Sequence, residues 1–440
     1  MTPLLSPRIS IFAICGLTSE LPDVLRTFVV TIYRYCINLN DHVEKQIQIQ
    51  NMDLIYQRAA LTLIAAAGNG PDYGLPGVGK RLREPPVSVQ IGEFEFQAIV
   101  DPGDLATRSK WVTRAWNYQE AMLSTRRLVF TDEQVYFHCA KTFLCENPSI
   151  TRIGLEPPAN QIFLPVASYN ILQHILAYSK RELSWESDAL NAIAGIFKVL
   201  RRQSTPLYHI NGVPLLNQHP VNLGNSYGTM ELRSEQLAFG LNWGPVMTLS
   251  GPRRQGFPSW SWTGWKSMAL WDSDEWSWDY FIPDLKFAVV GSDQGRTDIE
   301  MFDFTKDGDT ISSCSSLEVT GDMVTVQFIR DKFYSSSKDI FWTPTAISKC
   351  IDHRDRRLTP AFMSVPESQF NGTVVSFECL FISKFHLLIL IPVGENVVER
   401  VGKLEYMREL DVVPKEWAQN FSAVRNVEDL PRLRKTIMLV

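Results

Sequence analysis

Hydrophobic and polar positions in the first third of the chain switch between strand spacing and helix spacing. Residues 28–37 (FVVTIYRYCI) are β-branched and aromatic, which predicts a buried strand. A helix is predicted from Asp41 to about Arg58, with Asp41 as its N-cap and Glu44 at the capping-box position. Residues 61–67 (LTLIAAA) predict a second strand. This order of elements indicates a βαβ unit and therefore a parallel sheet.

A glycine-rich segment at 68–81 follows the second predicted strand. It contains the outline of a phosphate-binding loop, G-x-x-x-x-G-K, from Gly74 to Lys80. Such a loop needs a Ser or Thr after the lysine and a helix directly behind it. Arg81 and Pro85-Pro86 stand there instead. We therefore interpret the segment as a surface loop that binds no nucleotide.

The stretch 114–139 (RAWNYQEAMLSTRRLVFTDEQVYFHC) follows a strand pair predicted over 87–99. Its pattern predicts an amphipathic helix over 114–123 that is capped by Thr113. Two short strands, 128–130 and 135–137, are predicted to follow it. The residues assigned to the buried helix face by their spacing are Trp116, Gln119 and Leu123.

The rest of the chain changes from helical to strand-like patterns. Helices are predicted over 166–180 and 188–200, and residues 203–260 are rich in loop signals. From Leu285 onward the runs are those of strands, ending in a closing strand at 436–440. These patterns predict an α/β N-terminal domain, a helical middle and a β-rich C-terminal region. The corresponding boundaries are 21–150, 151–270 and 271–440.

Composition narrows the class of protein. The 440 residues carry 43 basic and 48 acidic side chains, a net charge of -5, which is a poor footprint for nucleic-acid binding. Seven cysteines without any C-x-x-C spacing favour reduced thiols over a zinc ribbon or a disulfide framework. No apolar run approaches the roughly 20 residues that span a bilayer. We expect a cytoplasmic protein without membrane insertion or nucleic-acid partner.

Several residues could in principle carry chemistry, but none forms a recognisable constellation. Cys36 could act as a nucleophile only with His42, across a predicted helix start, so a buried thiol is the favoured interpretation. The pair His138-Cys139 with Cys145 lacks the spacing and the fourth ligand of a metal site. We therefore expect no metal and no bound cofactor, and the sequence establishes no enzymatic activity.

Tryptophans concentrate in one later segment. Trp260, Trp262 and Trp265 lie in GFPSWSWTGW, and Trp271, Trp276 and Trp278 follow closely. The favoured interpretation is a packing seam between domains. The alternative is an exposed aromatic patch that binds a protein partner.

The stretch 114–139 resembles the R-G/A-W-T-x-Q-E-x-L-L-S-x-R-x-L-x-F segment of the fungal heterokaryon incompatibility (HET) domain family. An earlier family segment, around C-I-N-Q and M-x-x-I-Y-x-x-A, is similar to residues 35–38 and 52–59, and the later stretches SDALNAIAGI and GFPSWSWTGW are also similar to fungal HET proteins. The residues that carry the motif resemblance are Tyr35, Cys36, Ile37, Asn38, Met52, Ile55, Tyr56, Ala59, Arg114, Trp116, Gln119, Glu120, Leu123, Ser124, Arg126 and Cys139.

The N-terminus departs from the family pattern. The family's opening S-Y-x-W-G strand is not recognisable before Leu21, and Tyr33 stands where the family has an aspartate. Leu39 replaces a glutamine, and His138 replaces the usual glutamate. The departures indicate a truncated, mis-spliced or degenerate N-terminus, with a sheet that lacks its first strand.

The resemblance implies a TIR-like parallel sheet with helices and a role in nonself recognition and cell death, or vegetative incompatibility, through a protein partner or self-association. Two alternatives stay open: an NAD-consuming hydrolase on the TIR-like fold, and an inactive, decayed paralogue. A hydrolase would need a carboxylate beside a ribose. The candidates are Glu120 and Glu44, for which a salt bridge to Arg126 or Arg127 and a capping role are the favoured structural explanations.

Overall fold

The structure is a computed structural model, and the part of the chain that it describes is interrupted. The described residues are 11–15, 29–32, 41–70, 73–78, 81–98, 100–146, 152–153, 163, 166–167, 170–216, 230–245, 252–271, 284–291, 295–305, 314, 316–331, 341–344, 362–363, 374–383, 386–405 and 431–440.

The chain folds into two compact units. The N-terminal unit comprises 1–170 and 180–204, and the C-terminal unit comprises 171–179 and 205–440. The three-region division expected from the sequence stays a prediction.

The helices of the described residues lie in both units. Their bounds are α1 His42–Gln50, α2 Met52–Arg58, α3 Pro102–Arg108, α4 Ala115–Leu123, α5 Ile171–Ser179, α6 Asn191–Arg201 and α7 Arg233–Gly240. Single turns of 3₁₀ helix cover Lys110–Thr113, Glu186–Asp188 and Trp262–Gly264.

The N-terminal unit is built on a mixed sheet. Its strands are β1 Ile11–Cys15, β2 Val29–Ile32, β3 Leu61–Ala65, β6 Arg126–Phe130, β7 Val135–Cys139, β8 Thr142–Cys145 and β9 Arg152–Ile153. They run in the order β2-β1-β3-β6-β7-β8-β9. The pair β3–β6 is parallel, and the other described pairs are antiparallel. A separate hairpin consists of β4 Ser88–Ile91 and β5 Phe94–Gln97, which confirms the strand pair predicted over 87–99.

The predicted βαβ unit is wrong in its pairing. Strand β1 lies between β2 and β3 and is antiparallel to both, so the strands that flank α1 and α2 are not neighbours. The prediction failed because strand adjacency depends on a segment that precedes all three elements. The structure thus contains a strand, residues 11–15, ahead of β2 in the chain. The expectation that the family's opening strand is degenerate stays a prediction. Among the described strand pairs of this sheet, β3–β6 alone has the predicted parallel character.

The helix start predicted at Asp41 was correct, but other helix limits predicted from the sequence were wrong. The Asp41 carboxylate accepts hydrogen bonds from the backbone N–H groups of Val43 and Glu44, both at 3.0 Å, which confirms the cap. The predicted single helix is instead two helices that meet at Asn51. Thr113 does not cap α4, because it closes a 3₁₀ turn and donates to the carbonyl of Lys110.

The C-terminal unit is rich in strands, as predicted. Its strands are β10 Tyr208–Ile210, β11 Val213–Leu215, β12 Trp243–Pro245, β13 Ala269–Trp271, β14 Lys286–Val290, β15 Arg296–Asp298, β16 Ser316–Asp331, β17 Phe341–Pro344, β18 Phe362–Met363, β19 Val374–Phe381, β20 His386–Gly394, β21 Val397–Glu405 and β22 Leu433–Leu439. Nine of them, β14 to β22, form one sheet around the long strand β16. The predicted closing strand corresponds to β22, which pairs with β16 and β21.

The tryptophan-rich segment is buried inside the C-terminal unit. Trp260, Trp262 and Trp265 are at most 4% exposed, so the interpretation as an exposed aromatic patch is wrong for them. Trp276 and Trp278 lie outside the described residues. The buried guanidinium of Arg400 donates to the carbonyls of Leu241 and Trp243, and burial lowers the pKa of Arg400 to about 9. Backbone carbonyls therefore hold this cation in the core.

Candidate functional site

Helix α4, which carries the HET-like motif, is buried on nearly every side. Its residues 117–123 are at most 7% exposed, and Trp116 is the half-buried exception. The prediction of an amphipathic helix is therefore wrong, and Trp116 is the outermost member of its supposed buried face. The Trp116 indole N–H donates to the Asp188 carboxylate at 3.0 Å.

Gln119 joins α4 to two neighbouring helices. Its Oε1 accepts from the backbone N–H of Gly195 at 2.9 Å, and its Nε2 donates to the carbonyl of Asn191 at 3.2 Å. Nε2 also approaches Met52 Sδ at 3.7 Å. The absence of a side chain at Gly195 allows this contact, because a Cβ there would lie 2.8 Å from both Gln119 Oε1 and Leu123 Cδ1. The two motif segments, 52–59 and 114–124, thus meet in one helical cluster.

The end of α4 is fixed to the sheet by polar side chains. Ser124 Oγ donates to the carbonyl of Glu120 at 2.7 Å and lies 2.7 Å from Thr62 Oγ1 on β3. Arg127 on β6 donates to the carbonyls of Ala121 and Met122, at 2.5 and 3.0 Å. It therefore satisfies helix carbonyls that have no partner within the helix.

The Arg127 guanidinium has an unusual environment for a cation. Burial lowers the pKa of Arg127 to about 10, which still leaves it charged at neutral pH. Its Nη1 lies 3.3 Å from His138 Nδ1, and its Cζ lies 4.6 Å from the Phe163 ring centre. Burial, followed by the charge of Arg127, lowers the pKa of His138 to about 4. His138 is therefore neutral at pH 7.

A buried carboxylate beside this cluster was missed by the sequence analysis. Asp53 on α2 is 1% exposed, and its Oδ2 lies 2.6 Å from Arg202 Nη2, although no donor is aligned for a hydrogen bond. We interpret the pair as an ion pair, because an N···O distance of 2.6 Å is short enough for a direct electrostatic contact between the two charges. The sequence contained no signal for it, because Asp53 lay in the interior of the single helix predicted from Asp41 to about Arg58. The break at Asn51 places it in the first turn of α2.

The two predicted carboxylates lie apart. Glu120 is 7% exposed inside α4, and Glu44 is half-buried in the first turn of α1. A catalytic role for either stays a prediction.

The other motif residues have different surroundings. Met52, Tyr56, Ala59 and Leu123 are buried, Ile55, Arg114 and Cys139 are half-buried, and Arg126 is exposed. Arg126 and Cys139 face each other across β6 and β7. Tyr35, Cys36, Ile37 and Asn38 lie outside the described residues.

A cleft of about 350 Å³ lies at the carboxyl ends of the parallel pair β3–β6. Ala66, Gly68 and Asn69, which follow β3, line one side. Thr131, Asp132 and Glu133, which follow β6, line another. Ligands of open α/β sheets commonly bind at this end of the strands. The site was not foreseen, because the glycine-rich segment was interpreted only as a surface loop.

The cleft brings charges of both signs together. Arg108 and Lys110 contribute cations, and Glu84, Asp132 and Glu133 contribute carboxylates. Lys110 pairs with the Glu182 carboxylate at 3.0 Å. Within the described part of the chain, the side chains of Arg108 and Glu133 make no hydrogen bond or ion pair.

Tyr73 shapes one wall of the cleft. Its hydroxyl donates to Asp132 Oδ1 at 2.5 Å, and this hydrogen bond is the main cause that raises the pKa of Tyr73. Arg81 lies 4.0 Å from the ring centre and donates to the Tyr73 carbonyl at 3.0 Å. The described residues of the glycine-rich segment are thus folded back onto the β6–β7 turn. Lys80, of the phosphate-loop outline, lies outside the described residues.

The described residues form neither a membrane-crossing helix nor a metal centre. None of their helices has both the length and the apolar character needed to cross a bilayer. No group of three or more His, Cys, Asp or Glu side chains among them is arranged to hold a metal ion.

Comparison with known proteins gives one family. No curated protein and no solved structure matches the chain. The family model described as "Heterokaryon incompatibility protein (HET)" matches residues 23–120, which include α1, α2 and most of the motif helix α4. The chain therefore carries a heterokaryon incompatibility domain over these residues.

Proposed function

We propose that this protein acts in nonself recognition in a fungal cell and signals cell death through protein interaction in the cytoplasm. The observation that carries the proposal is the HET domain over residues 23–120. The geometry of the motif argues against a chemical role for two of its buried polar residues. The polar atoms of Gln119 form hydrogen bonds with α6, and the hydroxyl of Ser124 forms them with α4 and β3.

Induced expression of the full chain in a filamentous fungus tests the proposal. We expect colony survival to fall and hyphal compartments to take up a vital dye. The test variant is Gln119→Met, which keeps the side-chain volume but removes the hydrogen bonds that join α4 to α6. We expect this variant to kill less at equal protein level. Survival equal to that of an empty vector would contradict the proposal and favour an inactive, decayed paralogue.

A second candidate is an NAD-consuming hydrolase on a TIR-like fold. The observation that favours it is the polar cleft at the carboxyl ends of β3 and β6, with three carboxylates on its lining. A carboxylate near a ribose could stabilise the charge that develops when a glycosidic bond breaks. Glu133 is better placed for this role than Glu120, since Glu133 lines the cleft and Glu120 is buried in α4.

The two candidates make different predictions for the same cells. A hydrolase should deplete cellular NAD before death, and Glu133→Gln should prevent the depletion while the protein stays folded. The control is Glu95→Gln, an exposed glutamate in the β4–β5 hairpin outside the cleft lining. Death with unchanged NAD would exclude the hydrolase and leave the interaction role.

A further inference from the structure

The β4–β5 hairpin of the N-terminal unit has one apolar face and one polar face. Its strands alternate strictly, and the register pairs Val89 with Phe96 and Ile91 with Phe94. Side chains at cross-strand pairs share a face, so these four lie together. Backbone pairing continues to Val87, whose carbonyl accepts from Ala98 N–H at 2.8 Å. The opposite face carries Ser88, Gln90, Glu95 and Gln97.

The turn fixes this arrangement. Gly92 and Glu93 form a two-residue connection, and Gly92 has a φ of +62°, a backbone conformation that favours glycine. Because the turn sets the register, the apolar side chains cannot move to the other face by a one-residue slip.

The apolar face is exposed to solvent. The exposed fractions are 77% for Val87, 55% for Val89, 61% for Ile91, 72% for Phe94 and 53% for Phe96. With about 150–200 Å² for each large apolar side chain, the face exposes roughly 500 Å². This lies in the upper part of the range of about 300–600 Å² for the largest patch on a monomer, and such patches are commonly functional.

The hairpin has two strands in the described part of the chain, β4 and β5, which pair with each other. A two-stranded hairpin in water is at best marginally stable, and it gains stability when its apolar face packs against another surface. The exposed face therefore indicates a surface that is covered in the functional assembly.

Charge and area indicate what covers it. The hairpin itself, residues 87–98, contains Glu93 and Glu95 and no Lys or Arg, which disfavours an anionic membrane as the surface that covers it. Two such faces packed against each other would keep Glu95 on the outer, solvated side. They would bury roughly 1,000 Å² in total, the lower limit for a specific protein interface.

We propose that two copies of this chain form a dimer by packing the apolar faces of their β4–β5 hairpins against each other about a two-fold axis. The contact is the same patch on both copies, as such an axis requires. The two hairpins form a small sandwich with sheets about 10 Å apart. The inference concerns assembly alone and does not depend on the proposed role in cell death.

Sedimentation velocity of the full chain tests the proposal over roughly 1–50 µM, where an interface of this size is expected to dissociate. We expect a monomer–dimer equilibrium. Phe94→Ser should raise the dissociation constant at least tenfold, because it removes an exposed aromatic from the face. Gln90→Ser, on the opposite face of the same hairpin, should change it less than twofold. Unchanged circular dichroism will show that both variants fold.

Cross-linking gives a second measurement that does not depend on weakening the dimer. Val89→Cys should form a covalent dimer with a short bismaleimide, while Gln90→Cys should not exceed the unmodified chain. A monomer at every concentration, a dimer unaffected by Phe94→Ser, or equal cross-linking from both faces would overturn the proposal. So would a monomer that binds phosphatidylcholine vesicles through Phe94, which would assign the face to a lipid surface.

Discussion

Replacement of Gln119 by Met tests whether this motif residue stabilises the packing of α4 against α6 through its hydrogen bonds. The carboxamide spans the Asn191 carbonyl and the Gly195 N–H, which are the i and i+4 groups of the first turn of α6. Met has similar volume and flexibility, so little cavity is expected. A buried polar group left without its partner costs about 1–3 kcal/mol. The two helix groups can partly bond to each other, so we expect a total loss of about 2–3 kcal/mol.

Hydrogen exchange of the full chain measures this loss where it occurs. Peptides that cover α4 should exchange about 30 to 150 times faster in the variant, at 1.36 kcal/mol per tenfold change. The control is Gln46→Met, since Gln46 is an exposed residue of α1. It should stay within about 0.5 kcal/mol of the parent chain. A loss below about 0.5 kcal/mol in Gln119→Met would mean that α6 supplies its own bond and that Gln119 has another role.

Three further predictions follow from the same unit. Gly195→Ala should destabilise α4 and α6 by about 1–2 kcal/mol despite the better helix propensity of alanine, because its Cβ would lie 2.8 Å from Gln119 and Leu123. Faster hydrogen exchange in both helices would confirm this prediction, and a gain in stability would refute it. Trp116→Phe should cost about 1 kcal/mol for the lost bond to Asp188 and Trp116→Ala about 2–3, and equal costs in urea titration would show that the hydrogen bond is irrelevant. The pKa of His138 is lowered to about 4, so the unfolded state takes up a proton first as the pH falls from about 6.5. The free energy of unfolding should therefore drop by roughly 2 kcal/mol between pH 6.5 and 4, and this drop should vanish in His138→Asn. Equal pH profiles of the two chains would contradict the assignment.

Features of the fold that depend on neighbouring residues were predictable from the sequence. The Asp41 cap, the existence of the helix at 114–123 and the hairpin at 87–99 each follow from signals within about 15 residues, although the amphipathic character predicted for that helix was wrong. Helix breaks and caps were less predictable. Asn51 carries no signal stronger than its neighbours, and Thr113 serves a 3₁₀ turn that competes with the helix start.

Features that depend on distant residues were not predictable. The position of β1 between β2 and β3 is a choice of partner, which no local pattern encodes. The role of Arg127 is another example. The sequence offered it, together with Arg126, as a salt-bridge partner of Glu120. The structure shows its guanidinium bound to two helix carbonyls.

The polar cleft shows how one topological fact would have changed the interpretation of the sequence. The loop after 61–67 and the turn 131–134 lie far apart in the chain, and each alone is typical of an ordinary connection. Once β3 and β6 are known to be parallel neighbours, both connections must leave the sheet at the same edge. The polar residues that follow these two strands, Asn69 and Asp132 among them, are then expected in one place. The sequence therefore contained the residues of the cleft but lacked the pairing that brings them together.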